Sequence, residues 1–284
     1  MRAVGIVAEY NPFHTGHAYH IETARKETGA DAVVVIMSGS FVQRGEPAIF
    51  DKWTRTRMAL YGGADLVLEL PALYATASAE YFARGAVETL RATGVIGTLS
   101  FGSECGDLEK LQRAANLLSA EDAAMRETLQ AALASGKSYP AAKMEALGVQ
   151  NAALGEILAS PNNTLAVSYL RFLDNMEAHT VKRKGAGYLE TNVSEGVASA
   201  LEIRSRMLRG ESVSAYGPHF PKGEPIHTYH QYEELILYAL RSLSWQTYPS
   251  IPEAIRRRLL SADTKSLQSV LETTKNEAYC DGCC

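Results

Sequence analysis

Short apolar runs alternate with longer amphipathic stretches along the first hundred residues. Runs rich in Val, Ile and Leu between turn signals predict buried β-strands. They cover residues 3–8, 32–37, 66–70 and 95–101. Helices are predicted in the intervening stretches, at residues 17–28, 51–61 and 75–93. This order of elements favours a parallel sheet covered by helices on both faces.

Helical patterns dominate after the fourth strand. Alanine, the strongest helix former, is frequent at 108–118 and 122–135, which predicts a helical insertion at about residues 107–150. A helix at 163–176 and a last strand at 180–184 follow it.

From residue 193 onward the pattern is helical throughout. The predicted helices lie at 199–209, 232–244, 252–261 and 265–275. With 284 residues and 46% hydrophobic composition, the chain can bury a sizeable core. We therefore predict an α/β, Rossmann-like nucleotide-binding domain at residues 1–188 and a mainly helical region at 189–284.

The turn after the first strand carries the candidate chemistry. His14 and His17 stand between that strand and a helix, and Asn11-Pro12 is a strong turn signal. Unpaired N–H groups and the positive dipole end make a helix N-terminus suitable for phosphate. Two imidazoles facing that point would stabilise charge on a phosphorus atom under attack. Ligands of such sheets lie at the carboxyl ends of the strands, so fold and motif predict the same place.

Other interpretations of these histidines stay open at this point. They could be surface or core residues without a ligand. His20 lies one helical turn after His17, so a zinc site is also conceivable. No Glu or Asp follows at metalloprotease spacing, and we predict no metal site.

Charge and hydropathy argue against two classes of protein, those with a uniformly polyanion-binding surface and those that span a membrane. The net charge of −4 and pI of about 6.0 argue against a surface uniformly suited to polyanions, although a local basic face for RNA stays possible. No apolar run approaches the roughly 20 residues of a membrane span. The chain enters a strand at once, without a leader pattern. We expect a soluble cytoplasmic protein that does not bind a membrane.

Three of the four cysteines lie in the last five residues. Cys280 and Cys283 have Cys-x-x-Cys spacing, with Cys284 beside them. A zinc or redox role normally needs a second pair, which Cys105 alone does not supply. We expect the tail to be a flexible terminus without a function.

The string GIVAEYNPFHTGH at residues 5–17 resembles the HIGH-type nucleotidyltransferases and, among them, the bacterial tRNA(Met) cytidine acetate ligases. Further strings are similar to the same family. They are SGSFVQRGEP at 38–47, DKW at 51–53, GADLVLELP at 63–71, SAEYFA at 78–83, FGSE at 101–104, SPNN at 160–163 and KRKGAGY at 182–188.

The resemblance implies a function. Such enzymes activate acetate with ATP, giving acetyl-adenylate and pyrophosphate, and then acetylate N4 of the wobble cytidine of elongator tRNA(Met). ATP accompanied by Mg²⁺, acetate and elongator tRNA(Met) are therefore the expected substrates and partners. The oligomeric state is not indicated.

The resemblance also implies site residues. His14 and His17 are the expected catalytic residues. The expected ATP-binding residues are Val7, Ala8, Glu9, Tyr10, Asn11, Pro12, Phe13, His14, Thr15, Gly16, His17, Ala18, Tyr19, His20, Gly102, Asn162, Arg183, Ser199 and Arg204.

Several of these residues also have simpler explanations. Gly102 could be an ordinary strand-end glycine, and Asn162 could be the N-cap of its helix. Arg183, whose planar fork suits oxyanions, could be a solvated strand end. Residues 199–204 lie where the superfamily has a mobile turn that holds the β- and γ-phosphates, with Leu201 in place of the usual threonine.

A polar loop after the second strand is undecided. It contains Gln43, Arg44, Asp51 and Lys52, for which acetate or tRNA recognition and simple helix capping are both open.

Two other functions remain as alternatives. A small-molecule adenylyltransferase that makes a dinucleotide would share the fold and the His-x-Gly-His turn. The family runs on past the end of this chain, so a catalytically weakened ATP- or tRNA-binding module is the second. Acetate activation is accordingly the safer expectation than complete tRNA acetylation.

Overall fold

The computed structural model describes residues 2–120, 123–137, 139–183, 198–217, 220–221, 223–242, 259–260 and 265–274. Five parallel strands form one sheet in the order β3-β2-β1-β4-β5. The strands are β1 (Ala3–Ala8), β2 (Ala32–Ser38), β3 (Leu66–Leu70), β4 (Ile96–Ser103) and β5 (Glu177–Lys182). The strand order reverses between β1 and β4, which is where such sheets bind ligands. The predicted α/β, Rossmann-like fold is confirmed.

Twelve helices connect and flank these strands in the described part of the chain. They are α1 (Thr15–Thr28), α2 (Lys52–Tyr61), α3 (Ala72–Ala75), α4 (Ala79–Ala92), α5 (Leu108–Ala120), α6 (Ala123–Ala134), α7 (Tyr139–Gln150), α8 (Ala152–Ile157), α9 (Pro161–Leu170), α10 (Ala200–Leu208), α11 (Glu233–Ser242) and α12 (Leu267–Thr274). Short 3₁₀ turns lie at Ser214–Tyr216 and Tyr229–Tyr232. None of the described helices is long and apolar enough to cross a membrane.

The central strands are buried on both faces. Along β2, Val33 and Val35 belong to one apolar cluster, which also contains Ile21 of α1. Val34 and Ile36 belong to a second cluster on the opposite face, packed with α4 and α9. Successive side chains of a strand point to opposite faces, so a continuous apolar run is what a sheet covered on both sides requires.

The helix predicted at 75–93 begins only at Ala79, as α4, and a separate short helix, α3, ends at Ala75 before it. A Cβ added at Gly85 of α4 would lie 2.2 Å from the ring of Tyr74 in α3. The break between the helices lets Tyr74 fold back onto α4 over this glycine. Such a contact between side chain and backbone leaves no trace in the apolar pattern.

The chain between α9 and β5 also differs from the prediction. The helix expected at 163–176 begins at Pro161 and ends at Leu170, and the last strand begins at Glu177 rather than at residue 180. Asp174 has a φ of +47° and pairs with Arg91 of α4, so the chain turns there. The predicted helical insertion contains α5, α6 and α7, and it is longer than predicted because α8 extends it to Ile157.

The helices predicted at 199–209, 232–244 and 265–275 are confirmed as α10, α11 and α12. Other predictions fall outside the described residues. They are the domain boundary at residue 188, the strand end at Lys184, most of the helix at 252–261 and the cysteine tail.

Candidate active site

A cavity of 360 Å³ opens at the carboxyl ends of β1 and β4, where the strand order reverses. Thirteen of the predicted site residues line it. They are Val7, Ala8, Glu9, Tyr10, Asn11, His14, His17, His20, Gly102, Asn162, Arg183, Ser199 and Arg204. Residues far apart in the chain thus meet at the place where fold and motif were predicted to coincide.

A larger hollow of 680 Å³ lies at the amino end of β5. Its wall carries the carboxylates of Asp174 and Glu177, and among the described residues no Lys, Arg or His lines it. These lining residues offer no cationic donor to a triphosphate, so the cavity at the strand switch is the candidate for an anionic ligand.

His14 and His17 build the N-terminus of α1 with one nitrogen each. The N–H of Gly16 donates to Nδ1 of His14 at 3.0 Å, and the N–H of His14 donates to Nδ1 of His17 at 3.2 Å. A neutral imidazole that accepts at Nδ1 carries its proton on Nε2. Each ring therefore has an Nε2–H donor, and the two rings stack with their centroids 3.8 Å apart.

Burial keeps both imidazoles neutral. It lowers the pKa of His14 to about 3, with a further contribution from Arg183. Burial also lowers the pKa of His17 well below its ordinary value, as do the neighbouring His14 and Arg183. The pair is therefore a set of hydrogen-bond donors near neutral pH, and positive charge at the site comes from arginine.

The prediction of unpaired N–H groups at this helix N-terminus is wrong for Gly16 and His17. The N–H of Gly16 is bonded to the His14 ring, and that of His17 donates to the His14 carbonyl at 2.9 Å. The capping box thus satisfies the Gly16 donor, and a backbone turn satisfies that of His17. The imidazole Nε2–H groups are thus donors that this turn can offer in place of those two N–H groups.

Arg204 ties α10 to the first turn. Its NH1 donates to the carbonyl of Asn11 at 2.7 Å, and the Asn11 side-chain oxygen accepts from the N–H of Ile49 at 2.7 Å. Asn11 precedes Pro12 through a cis peptide bond. Ser199 caps α10 by accepting from the N–H of Glu202 at 3.1 Å. Leu201 also lines the cavity, so the missing threonine is replaced there by an apolar side chain.

Asn162 is not the N-cap of its helix. Ser160 is the N-cap, Pro161 takes the first helical position, and Asn162 comes second. Proline is favoured at that first position because its missing N–H would be unpaired anyway. The Asn162 amide donates instead to Glu104 at 2.6 Å and accepts from Arg183 at 3.4 Å.

Arg183 crosses the end of β4 beside Gly102. A Cβ added at Gly102 would lie 3.3 Å from Cγ of Arg183, tighter than an ordinary contact. The Arg183 backbone N–H donates to Ser103 at 3.0 Å, which extends the pairing of β5 with β4. The absent side chain at Gly102 therefore leaves room for the arginine at the cavity edge.

Six predicted residues lie outside the cavity wall: Pro12, Phe13, Thr15, Gly16, Ala18 and Tyr19. Phe13 is fully buried, and a Cβ added at Gly62 would lie 2.1 Å from its ring. Its ring also meets that of Tyr10 at 4.8 Å. Phe13 therefore holds the turn against the protein core. The sequence motif alone cannot distinguish such a packing residue from one that contacts the ligand.

Arg55 is a structural neighbour of the cavity that the sequence did not reveal. It is fully buried and donates to four carbonyls, those of Glu9, Ser38, Gly39 and Phe50. Burial lowers its pKa to about 10, so it stays charged near neutral pH. It joins the loops that follow β1 and β2. The pattern of α2 gave no signal, because an arginine there looks like a solvent-facing residue.

The undecided polar loop divides into two parts. Gln43 and Arg44 line the cavity, and the Gln43 N–H donates to Glu9 at 2.8 Å. Asp51 caps α2 by accepting from the N–H of Thr54 at 2.8 Å, and Lys52 pairs with an edge-strand carboxylate at 2.7 Å. Burial raises the pKa of the Glu9 carboxyl.

An apolar wall completes the cavity. Its larger side chains are Phe82, Phe101, Leu158, Leu165 and Tyr169. Phe82 and Phe101 belong to strings that marked the resemblance, but their place in the cavity follows only from the fold. In the described ranges, no group of three His, Cys, Asp or Glu side chains is arranged to hold a metal ion.

The model of the HIGH nucleotidyl transferase family matches residues 1–281. A tRNA(Met) cytidine acetate ligase of Thermoanaerobacter sp. is 36% identical over 98% of this chain and 75% of its own length. The chain belongs to the tRNA(Met) cytidine acetate ligase family. The tRNA(Met) cytidine acetate ligase of Acetivibrio thermocellus is 44% identical over 75% of this chain, and the match spans only 53% of that relative's length.

Solved structures of the family agree with this assignment. Apo TmcAL of Thermotoga maritima superposes with a TM-score of 0.90 at 33% identity. The same protein bound with α-thio ATP gives a TM-score of 0.87 at 32% identity. Each match covers 98% of this chain and 72% of the TmcAL chain. A family member with this fold therefore binds an ATP analogue.

Proposed function

We propose that this chain is an ATP-dependent acetate ligase of the cytoplasm that acetylates N4 of the wobble cytidine of elongator tRNA(Met). The observation that carries the proposal is the meeting of two neutral Nε2–H donors, Arg183 and Arg204 in one cavity of a tRNA(Met) cytidine acetate ligase family member. The names of the relatives supply the substrate class.

In the first half-reaction an acetate oxygen attacks the α-phosphorus of ATP and pyrophosphate leaves. Acetate is ionised near neutral pH, so no base is needed. Negative charge grows on the α-phosphate oxygens, and the Nε2–H groups of His14 and His17 donate to them. Preorganised donors of this kind contribute about 10²–10³-fold each to such reactions.

The arginines bear the charge of the remaining phosphates. Arg183 lines the cavity beside Gly102 of β4, and Arg204 lines it from α10. A guanidinium offers several donors in one plane, which suits phosphate oxygens. The cavity thus supplies neutral donors at the reacting phosphorus and cationic donors farther along the triphosphate.

Magnesium comes to this site as part of the MgATP substrate. Mg²⁺ commonly keeps several waters and binds substrate phosphates with one or two carboxylates. Glu9 lines the cavity, but one of its oxygens accepts from Gln43 and burial favours its protonated form. The described residues do not form a protein cage for the ion.

The test separates acetate activation from tRNA modification. The intact chain is incubated with ATP and labelled pyrophosphate, with and without acetate, and then with labelled acetate and elongator tRNA(Met). We expect acetate-dependent label in ATP, AMP as a product, and N4-acetylcytidine in the tRNA. A matched tRNA with uridine at the wobble position is the control and should stay unlabelled.

Other products would point to the alternatives. A dinucleotide product would contradict the ligase and support a small-molecule adenylyltransferase. ATP binding without exchange would indicate a binding module.

A further inference from the structure

A chain of hydrogen bonds leads from the cavity to the protein surface. Nε2 of His20 lies 2.9 Å from Oγ of Ser100, which lies 3.0 Å from Nδ1 of His179. Nε2 of His179 is in turn 2.9 Å from a carboxylate oxygen of Glu27. Ser100 and His179 are register partners on β4 and β5, so the sheet itself aligns the central pair.

When His179 is neutral, the Glu27 carboxylate fixes which atom donates in each hydrogen bond of this chain. Glu27 accepts, so His179 donates from Nε2 and accepts at Nδ1. The Ser100 hydroxyl then donates to His179 and accepts from Nε2–H of His20. The lone pair of His20 is therefore on Nδ1, and His20 lines the cavity. Burial lowers the pKa of His20 to about 3, which keeps the ring neutral.

The proposed aminolysis step releases a proton for which the first turn has no acceptor. The Nδ1 atoms of His14 and His17 already accept from the backbone, and their Nε2 atoms carry protons. His20 is the histidine of the cavity wall whose Nδ1 is not used in the cap. An N4-acylated cytidine cation is strongly acidic, because the amine lone pair is delocalised into the ring, so a weak base suffices.

We propose that His20 accepts the N4 proton of the cytidine when the amine attacks acetyl-adenylate, with Ser100 and His179 as positioning residues. The amine lone pair forms the C–N bond. The bond between the acetyl carbon and the phosphate oxygen breaks, and AMP leaves with that electron pair. The proton moves to Nδ1 of His20.

The chain can pass this proton outward. Nε2–H of His20 transfers to Ser100, the Ser100 proton to His179, and the Nε2 proton of His179 to Glu27. The Glu27 side chain is 57% exposed, so the proton reaches solvent there. This inference rests on the proposed function and assigns a residue to its second half-reaction.

The experiment compares the two half-reactions in each variant. The rate of acetyl transfer to elongator tRNA(Met) is divided by the rate of acetate-dependent ATP–pyrophosphate exchange. The exchange rate reports folding and ATP binding, so the ratio isolates the transfer step. We expect His20→Gln, which keeps a donor toward Ser100 but has no base, to lower the ratio about 10²-fold.

His179 variants test the positioning. His179→Leu removes the acceptor of Ser100 and should lower the ratio at least about tenfold. His179→Asn places an amide oxygen near the former Nδ1 position and should restore most of the ratio. His230→Leu, at an imidazole 90% exposed, is the matched control and should leave it unchanged.

Nitrogen NMR of histidine-labelled protein gives a second measurement at pH 8, above the ordinary histidine pKa of about 6.5. We expect His20 as the Nε2–H tautomer in the parent and a mixture of tautomers in His179→Leu.

Unchanged ratios in His20→Gln and His179→Leu, with exchange intact in the parent chain, would overturn the inference and leave the proposed function standing. Equal losses of transfer and exchange in His179→Leu would also overturn it, because the chain would then only support the fold. If the parent chain shows no acetate-dependent exchange, the proposed function itself fails and the inference falls with it.

Discussion

At the scale of single residues, each histidine of the first turn has two tasks on opposite sides of its ring. Nδ1 builds the start of α1, and in the proposed function Nε2–H donates to the α-phosphate. The motif predicted which residues these are. It could not predict that they are neutral, since the tautomer is set by backbone N–H groups and the pKa by burial, both of which arise only on folding.

The buried histidines make stability depend on pH. In the unfolded chain they take up protons below a pH of about 6.5, while His14 and His20 in the folded chain stay neutral down to about pH 3. The unfolded state then binds more protons, so the free energy of unfolding falls as pH falls from 6.5 toward 3. The slope is at most about 1.4 kcal/mol per pH unit for each histidine.

Urea unfolding at pH 7 and pH 5 measures this effect. His20→Gln removes one of the titrating groups and should reduce the loss of stability between the two pH values. His230→Gln, at an exposed imidazole, should not. Equal stability of the parent chain at both pH values would contradict the burial account.

Arg55 should be essential to the loops around the site. Arg55→Leu leaves four carbonyl oxygens without their donor, and a buried unpaired polar group costs about 1–3 kcal/mol. We expect a loss of at least about 3 kcal/mol in the free energy of unfolding. The control is Arg57→Leu on the same helix, whose exposed pair with Glu224 contributes at most about 1 kcal/mol. Similar losses of unfolding free energy in both variants would show that the four buried hydrogen bonds of Arg55 do not stabilise the fold.

At the scale of elements, the end of β4 and the start of α9 hold each other. The Glu104 carboxylate accepts from the backbone N–H groups of Asn162 and Asn163 at 3.2 and 2.8 Å. In return, the Asn163 side-chain oxygen accepts from the N–H groups of Glu104 and Cys105 at 2.9 and 3.2 Å. A carboxylate at a helix N-terminus also opposes the helix dipole favourably. The sequence suggested Asn162 as a helix cap, but its side-chain amide donates to Glu104, which lies 58 residues earlier in the chain.

Glu104→Gln tests whether these hydrogen bonds between Glu104 and the start of α9 position the cavity wall. One oxygen becomes an NH₂ group that faces another donor, so the start of α9 loses an acceptor from Glu104. We expect the KM for ATP in the exchange reaction to rise severalfold and stability to fall by about 1–3 kcal/mol. Glu109→Gln makes the same chemical change at a side chain 83% exposed on α5, and both quantities should stay at parent values. An unchanged KM in Glu104→Gln would remove Glu104 from the account.

At the scale of the whole molecule, the strand order decides where the cavity forms. All five strands were predicted close to their final positions, because continuous apolar runs are typical of strands buried on both faces. The sheet order then brings the ends of β1 and β4 together beside α9 and α10. Local pattern did not reveal α8, the division of α3 from α4, or the role of Arg55, since these depend on contacts between distant segments.

The central claim is that the first turn stabilises the α-phosphate through two neutral imidazole donors. The most direct measurement is acetate-dependent ATP–pyrophosphate exchange in the parent chain, His14→Asn and His17→Gln. Asparagine is a good N-cap, and glutamine completes a capping box at the third position, so both variants keep the start of α1. We predict an unfolding free energy within about 0.5 kcal/mol of the parent and a loss of exchange of at least about 10²-fold in each. Near-parent exchange in both variants would contradict the account.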